Sequence, residues 1–324
     1  MQHEVAQWFA PASLAPMLDG LPGQTSQLAL EWLARSGKRW RPLLSACVFR
    51  SFQARFETPL PADFRRIAVA VECFHKASLV HDDIEDHDEL RYGQKTLHEQ
   101  YGVPIALNVG DWLLGQGYRM IATCQASAQQ KADMLGVASR GHCELCLGQG
   151  AELAWAAAPS PLSVEQVVEI FRQKTAPAFE VALTLGAIYA GANGHTAAIL
   201  REFSKALGIA YQIRDDLEDF QTDAGGDGAD NRPNILLAIA QQRAQGPQRE
   251  RIEAMWRRTA ATAGGPSLAE AMAGLDVHAT ATTMLDEHEA AAMACLERLE
   301  HPPLQAVLGN VVFTIFDHRQ AAGR

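Results

Sequence analysis

Apolar residues recur along this chain mainly at spacings of three and four, the period of a helix with one face turned to a core. Alternating β-branched runs and Asn-Gly hairpin turns are nearly absent and alanine is abundant, so helix is favoured over strand throughout. The pattern predicts helices near 25–36, 42–54, 62–88, 101–126, 131–157, 163–190, 196–220, 234–244, 247–262, 267–298 and 303–320. Breaks rich in Gly and Pro separate them, among them Gly20-Leu21-Pro22-Gly23, Pro159-Ser160-Pro161, Gly191–Gly194 and Gly225–Gly228. Ser163-x-x-Gln166 behind Pro161 has the form of a capping box and marks a helix start. None of the breaks is a long linker, and no internal repeat appears. The expected architecture is therefore one all-α domain over residues 1–324, with long helices wrapped around central ones.

Composition narrows the partners. With 324 residues, 48% hydrophobic and 20% charged, the chain can bury a large core. A formal charge of −10 argues against a nucleic-acid partner and against an anionic membrane surface. An anionic small substrate stays compatible with that charge if divalent cations stand between the two. Met1–Ala10 lacks the basic start of a signal peptide and no apolar run reaches membrane-spanning length, so a cytoplasmic protein with no transmembrane segment is expected. The six cysteines read as free thiols. Cys143-x-x-Cys146 beside His142 lacks the further ligands of a zinc site and reads as a buried structural pair.

Two places break the helical pattern with acid. From Asp82 to Glu89 six carboxylates occupy eight positions, directly after the apolar-rich Ile67–Val80; Asp215-Asp216-Leu217-Glu218-Asp219 repeats the device at the end of a second amphipathic run. On a helix the first and fifth residues of such a box share a face, so Asp82 projects with Asp86 and Asp215 with Asp219. Acids one turn apart repel unless a cation sits between them. Mg2+ suits the position, because it takes oxygen ligands, keeps several waters and bridges one or two carboxylates to substrate phosphates. One acidic run alone would read as a solvated helix end; two boxes spaced alike, each with basic residues nearby, favour a metal and a diphosphate. A di-iron carboxylate bundle would need Glu-x-x-His on two helices, and only Glu72-x-x-His75 occurs.

The ordered set Gly37-Lys38-Arg39-Trp40-Arg41-Pro42, His75, His81-Asp82-Asp83-Ile84-Glu85-Asp86, Arg91-Tyr92-Gly93, Gly148-Gln149-x-x-Glu152, Lys174-Thr175, Gln212-x-x-Asp215-Asp216-x-x-Asp219 and Asn231-Arg232-Pro233-Asn234 resembles the trans-polyprenyl diphosphate synthases, the head-to-tail prenyltransferases of the isoprenoid synthase superfamily. The resemblance implies one bundle of helices around a deep central pocket. It implies condensation of an allylic diphosphate with isopentenyl diphosphate, with about three Mg2+ ions held by Asp82, Asp83, Asp86, Asp215, Asp216 and Asp219. Within that set Asp82, Asp86 and Asp215 would be the direct ligands, the other three supporting them. Arg91 and Lys174 would hold the allylic diphosphate, Gln212 and Arg232 would also bind substrate, and Tyr92 would offer isopentenyl diphosphate one neutral hydrogen bond. Thr175, beside the helix-disturbing Pro177, would turn a carbonyl toward the carbocation. Lys38, Arg41 and His75 would bind isopentenyl diphosphate. Members of the family are commonly homodimers.

Departures from the family pattern matter as much. Tyr92 stands where a second arginine usually contacts isopentenyl diphosphate, and Gln221–Asn231 has no basic residue where the family carries lysine. Asp317-His318-Arg319 only loosely matches a C-terminal cation. Elongation is thereby questioned more than ionisation, and a class I terpene cyclase or a non-standard coupling enzyme is the rival reading. Product length depends on the wall behind the first box. Ala77 and Ser78 are small, and Phe74, eight residues before Asp82 and about 12 Å away along a helix, is the candidate floor, which favours a product of twenty carbons or somewhat more.

Overall fold

The computed structural model describes residues 1–18, 23–35, 37–54, 60–222, 232–257 and 268–316. Helices dominate them: α1 (Gln2–Gln7), α2 (Pro11–Leu14), α3 (Gln24–Ala34), α4 (Trp40–Ser51) and α5 (Phe64–Glu85) come first. A two-stranded hairpin, β1 (Leu90–Arg91) and β2 (Gln94–Lys95), leads into α6 (Leu97–Tyr101), α7 (Val103–Thr123), α8 (Ala128–Ala157), α9 (Val164–Tyr189) and α10 (Gly194–Thr222). The chain closes with α11 (Ile235–Arg243), α12 (Gly246–Trp256), α13 (Leu268–Met272), α14 (Val277–Glu297) and α15 (Pro302–Phe316). The all-α expectation holds. None of these helices is long and apolar enough to cross a membrane.

The chain divides into two compact units. The first comprises Met1–Arg140, Glu180–Ala198 and His301–Val307, and the second Gly141–Phe179, Ile199–Glu300 and Leu308–Arg324.

In the first unit α5 is the central element, packed chiefly on α7 and also on α3, α4 and α6. Its apolar side from Phe64 to Val80 is almost wholly excluded from water. Glycines set the close approach to α7. A Cβ on Gly117 would lie 2.6 Å from the Phe74 ring, and one on Gly110 would overlap the His81 imidazole, so a side chain at either position would displace that ring. Phe49 stacks on Phe64 with ring centroids 4.3 Å apart and Tyr189 tilts against both, closing the end of α5 away from the acids.

In the second unit α11 is buried on every side from Ile235 to Gln241, as a helix apolar all round must be. Its first turn is capped by Asn234, whose side-chain oxygen accepts from the N–H groups of Leu236 and Leu237 at 2.8 and 3.2 Å. The predicted box at the start of α9 is present: Ser163 N–H donates to Gln166 Oε1 at 2.8 Å, and Gln166 N–H to Ser163 Oγ at 3.2 Å.

Four local expectations change. The single helix predicted over 267–298 is two, α13 and α14, separated by Gly274 (φ +77) and Asp276 (φ +48) in left-handed conformation. The predicted 62–88 helix stops at Glu85, and the hairpin follows it. The short helices α1, α2 and α6 were unpredicted. Cys143 and Cys146 lie exposed on α8 rather than buried, because both fall on its outer side; all six cysteines are free.

Candidate active site

The first acid box occupies the end of α5. Asp86 N–H donates to the Asp82 carbonyl at 2.8 Å, so helical geometry persists through the cap and places these two carboxylates one turn apart. Asp82 is half-buried and Asp86 exposed. Asp83 behaves differently. It is 1% exposed and accepts from Arg91 Nε at 2.6 Å, while Arg91 Nη2 donates to Asp88, also at 2.6 Å. Burial raises the Asp83 carboxyl above the ordinary range, and the Arg91 guanidinium pulls it back down. Arg91 therefore ties β1 to the end of α5 through Asp83. Of the three acids assigned to metal in this box, the structure brings Asp82 and Asp86 together and turns Asp83 away, because a neighbour in sequence points about 100° around the helix.

One turn and more back along α5 lies a basic cluster. Arg41 Nη1 is 2.9 Å from His75 Nε2. Burial, and then the positive charge of Arg41, lowers the His75 pKa well below its usual value, so the imidazole is neutral and its Nε2 accepts from the guanidinium. Lys38 is exposed on the loop before α4. Arg39, which the sequence gives no role, is buried, takes a left-handed φ of 49° as N-cap of α4, and donates to Glu72 Oε1 at 2.6 Å and to the Leu33 carbonyl at 2.7 Å. Removing one partner of so buried a pair costs about 3–5 kcal/mol, so the pair anchors Arg39 to α5.

Sequence reasoning also passed over Lys76. Its side chain is fully buried on the face of α5 that carries Glu72 and Asp83, and its Nζ has no hydrogen-bond partner. Nζ sits 4.4 Å from the Tyr92 ring centroid and 5.2 Å from that of Trp32. Burial first, and Arg39 second, lower its pKa to about 8. The signal was visible: a lone lysine inside an otherwise apolar run, next to a histidine.

Phe74, Ala77 and Ser78 are the residues expected from the sequence to set product length. Phe74 is half-buried against Gly117 and the Tyr118 ring, centroids 4.9 Å apart. Ala77 is fully buried, and Ser78 Oγ donates to the His75 carbonyl at 2.9 Å.

The second box ends α10, in the second unit. Arg214 Nη2 donates to Asp215 Oδ1 at 2.8 Å, and Arg232 Nη2 to Asp219 Oδ2 at 2.6 Å. Asp216 is fully buried and accepts the Ile235 N–H, at the first turn of α11, at 2.8 Å; Arg232 stands 3.4 Å from its other oxygen. Burial raises its pKa to about 7. Burial likewise raises that of Asp215, against the opposing pull of Arg214. Gln212 lies one turn before these acids on the same side of the helix and accepts from the Thr175 hydroxyl at 3.1 Å. Lys174 Nζ donates to Glu152 Oε1 at 2.7 Å, joining two residues singled out separately in the sequence. Gly148 of α8 and Gly208 of α10 make this packing possible, since a Cβ on either would fall within 2.7–2.8 Å of the α9 backbone at Lys174 or Ala176. The helix runs unbroken through Pro177. The carbonyl that loses its donor to proline is that of Gln173, four residues earlier, rather than that of Thr175; the contact that Thr175 makes is its hydroxyl bond to Gln212. Gln221–Asn231, apart from the backbone of its first two residues, and Asp317-His318-Arg319 lie outside the described residues.

Among the described residues no three His, Cys, Asp or Glu side chains converge as a ready metal cage. Pairs of carboxylates one turn apart, leaving most coordination positions for water and phosphate, are nonetheless the donor set that Mg2+ takes.

Comparison with known proteins agrees. Residues 24–271 match the family model described as polyprenyl synthetase. A short chain isoprenyl diphosphate synthase of Methanocaldococcus jannaschii is 29% identical over 215 residues, 64% of this chain and 63% of that protein, so the match spans less than two thirds of that relative. An all-trans-nonaprenyl-diphosphate synthase (geranyl-diphosphate specific) of Rhodobacter capsulatus is 31% identical over 299 residues, 88% of this chain and 86% of that one. In fold, the chain is similar to a geranyltransferase from Helicobacter pylori solved with magnesium and isoprenyl diphosphate, at TM-score 0.69 and 20% identity over 98% of this chain and 96% of that chain. Because that family model matches well over half of the chain, this chain belongs to the polyprenyl synthetase family.

Proposed function

We propose that the protein is a Mg2+-dependent trans-polyprenyl diphosphate synthase, a single functional domain that joins an allylic diphosphate to isopentenyl diphosphate and releases a prenyl diphosphate of twenty carbons or more. The observation that carries this reading is the shared build of the two helix ends. Each presents its first and fifth aspartates along one side, and commits its second to holding the segment that follows.

In this reading Asp82 with Asp86 on α5, and Asp215 with Asp219 on α10, would each hold Mg2+, which would supply positive charge to a departing diphosphate. Arg91 and Lys174 share their carboxylate partners with that diphosphate as it leaves. The C–O bond of the allylic substrate breaks with its electron pair going to the diphosphate. The isopentenyl double bond attacks the resulting cation, a C–C bond forms, and the departed diphosphate takes the proton whose loss from the new cation restores a double bond. The protein supplies no nucleophile. Its part is to fix charges and exclude water from the cation. Arg41, Lys38 and neutral His75 hold the isopentenyl diphosphate, and Phe74 against Gly117 limits the length of the growing chain. The twenty-carbon estimate rests on the small Ala77 and Ser78 nearer the box. A cytoplasmic homodimer fits the reading, and sedimentation of the purified protein tests the dimer.

The deciding experiment incubates the protein with dimethylallyl, geranyl, farnesyl or geranylgeranyl diphosphate, with and without isopentenyl diphosphate, in Mg2+ or EDTA. Longer diphosphates formed only with Mg2+ and isopentenyl diphosphate are the expected result. Diphosphate release with cyclic or alcohol products, independent of isopentenyl diphosphate, would establish the rival cyclase-type reading that Tyr92 favours. Phe74→Ala is expected to lengthen the products; an unchanged distribution would place the floor on another side chain.

A further inference from the structure

The ammonium of Lys76 is an unusual object for a helix interior. It is excluded from water and makes no hydrogen bond. The carboxylate one turn before it, Glu72, is already engaged by Arg39 at 2.6 Å. Charges around it are otherwise positive: Arg35, Arg39 and Arg91 all act on it. A buried, unpaired cation in a basic neighbourhood is costly unless an anion completes it. Two aromatic faces, Trp32 and Tyr92, shelter it meanwhile. The cover is thin on one side. Nζ lies 3.9 Å from where a Cβ would stand on Gly37, and the Tyr92 hydroxyl 3.6 Å from the same point. Gly37, Lys38 and Tyr92 are all exposed, so a turn of the Tyr92 side chain would open Nζ toward the loop that carries Lys38 and leads to Arg41.

We infer that Lys76 is a binding residue for the diphosphate of isopentenyl diphosphate, supplying from the interior of α5 the positive charge that Tyr92 does not supply from the hairpin. This rests on the prenyl synthase reading above and names one residue of its second substrate site. The anion takes the ammonium as a hydrogen-bond donor once Tyr92 swings aside. Among the groups facing Lys76, arginines 35, 39 and 91 stay charged. His75 stays neutral because its pKa is lowered, and burial raises that of Tyr92. Glu72 is held by Arg39. With its pKa near 8 in the free protein, Lys76 is partly deprotonated above that pH, and an incoming anion draws the proton back.

The test is titration calorimetry with isopentenyl diphosphate alone at about pH 8.5, in two buffers of different ionisation enthalpy. Proton uptake on binding is expected in the wild type and absent in Lys76→Met. Lys76→Met should weaken isopentenyl diphosphate about ten- to hundredfold without changing the KM for the allylic substrate, and adding Tyr92→Arg should recover most of the loss. If Lys76→Met does not fold by circular dichroism, wild-type proton uptake together with near-normal binding by Lys76→Arg decides the matter. Binding without proton uptake in the wild type, or undiminished binding by folded Lys76→Met, overturns the inference. Because binding is measured without turnover, a failure to elongate would reject the prenyl synthase reading while leaving this result separate.

Discussion

At the end of α5 the middle aspartate of the box, Asp83, is held by a side chain, Arg91; at the end of α10 its counterpart, Asp216, is held by a backbone N–H, that of Ile235. The outer acids differ more. Asp215 and Asp219 each have an arginine in contact, Arg214 and Arg232, whereas the arginine of the first box goes to Asp83 and Asp88 and Asp86 stands exposed. The second box carries much of its own counter-charge. On the proposed reading the first box, whose Asp86 is exposed, should be the stronger contributor to metal-dependent chemistry. In both, the middle aspartate serves the fold, because it anchors the segment that follows.

The comparison is broken or sharpened most directly by activity. Asp82→Ala is expected to lower kcat by about a thousandfold and Asp215→Ala by about a hundredfold, the range for loss of a charge-stabilising group. Equal losses in steady-state assays over a Mg2+ series would mean that the arginines of the second box do not substitute for metal. Stability gives the next largest effect. Asp216→Ala strands the Ile235 N–H and should cost about 1–3 kcal/mol in urea denaturation. Asp83→Ala leaves Arg91 its bond to Asp88 and should cost less; the reverse order would remove the distinction between the two anchors. The smallest effect is on pH dependence in EDTA. Because the Asp216 pKa is raised to about 7 in the folded protein, its stabilising protonation is complete below the ordinary value of about 3.9 and is lost as pH rises through 7. Stability should therefore fall across that window in the wild type, and the fall should be shallower in Asp216→Asn, which stays neutral. Equal slopes would assign the titration to another group.

The long helices were legible because a 3.6-residue period persists over many residues in α5, α9 and α10. The hairpin Leu90–Lys95 was not, because two residues per strand are too few to show alternation. The break between α13 and α14 was missed because Ala273-Gly274-Leu275-Asp276 fits a helical pattern until φ at Gly274 and Asp276 turns positive. In the site, the pairing of Asp82 with Asp86 followed from helix spacing alone. The engagement of Lys174 with Glu152 and of Thr175 with Gln212 did not, since contacts between helices depend on how closely glycines 148 and 208 let them approach. Lys76 was passed over because a charged residue in an apolar run reads as a snorkelling side chain until its burial is seen.

Gly110 and Gly117 of α7 are seven residues apart, as are the His81 and Phe74 rings seated over them. The two notches seat one ring beside the acids of α5 and the other two turns further back, at Phe74. A side chain added at either notch would push aside the ring seated over it. On the proposed reading, a change at Gly117 would reach product length only by moving the Phe74 ring, and a change at Phe74 itself would reach it directly.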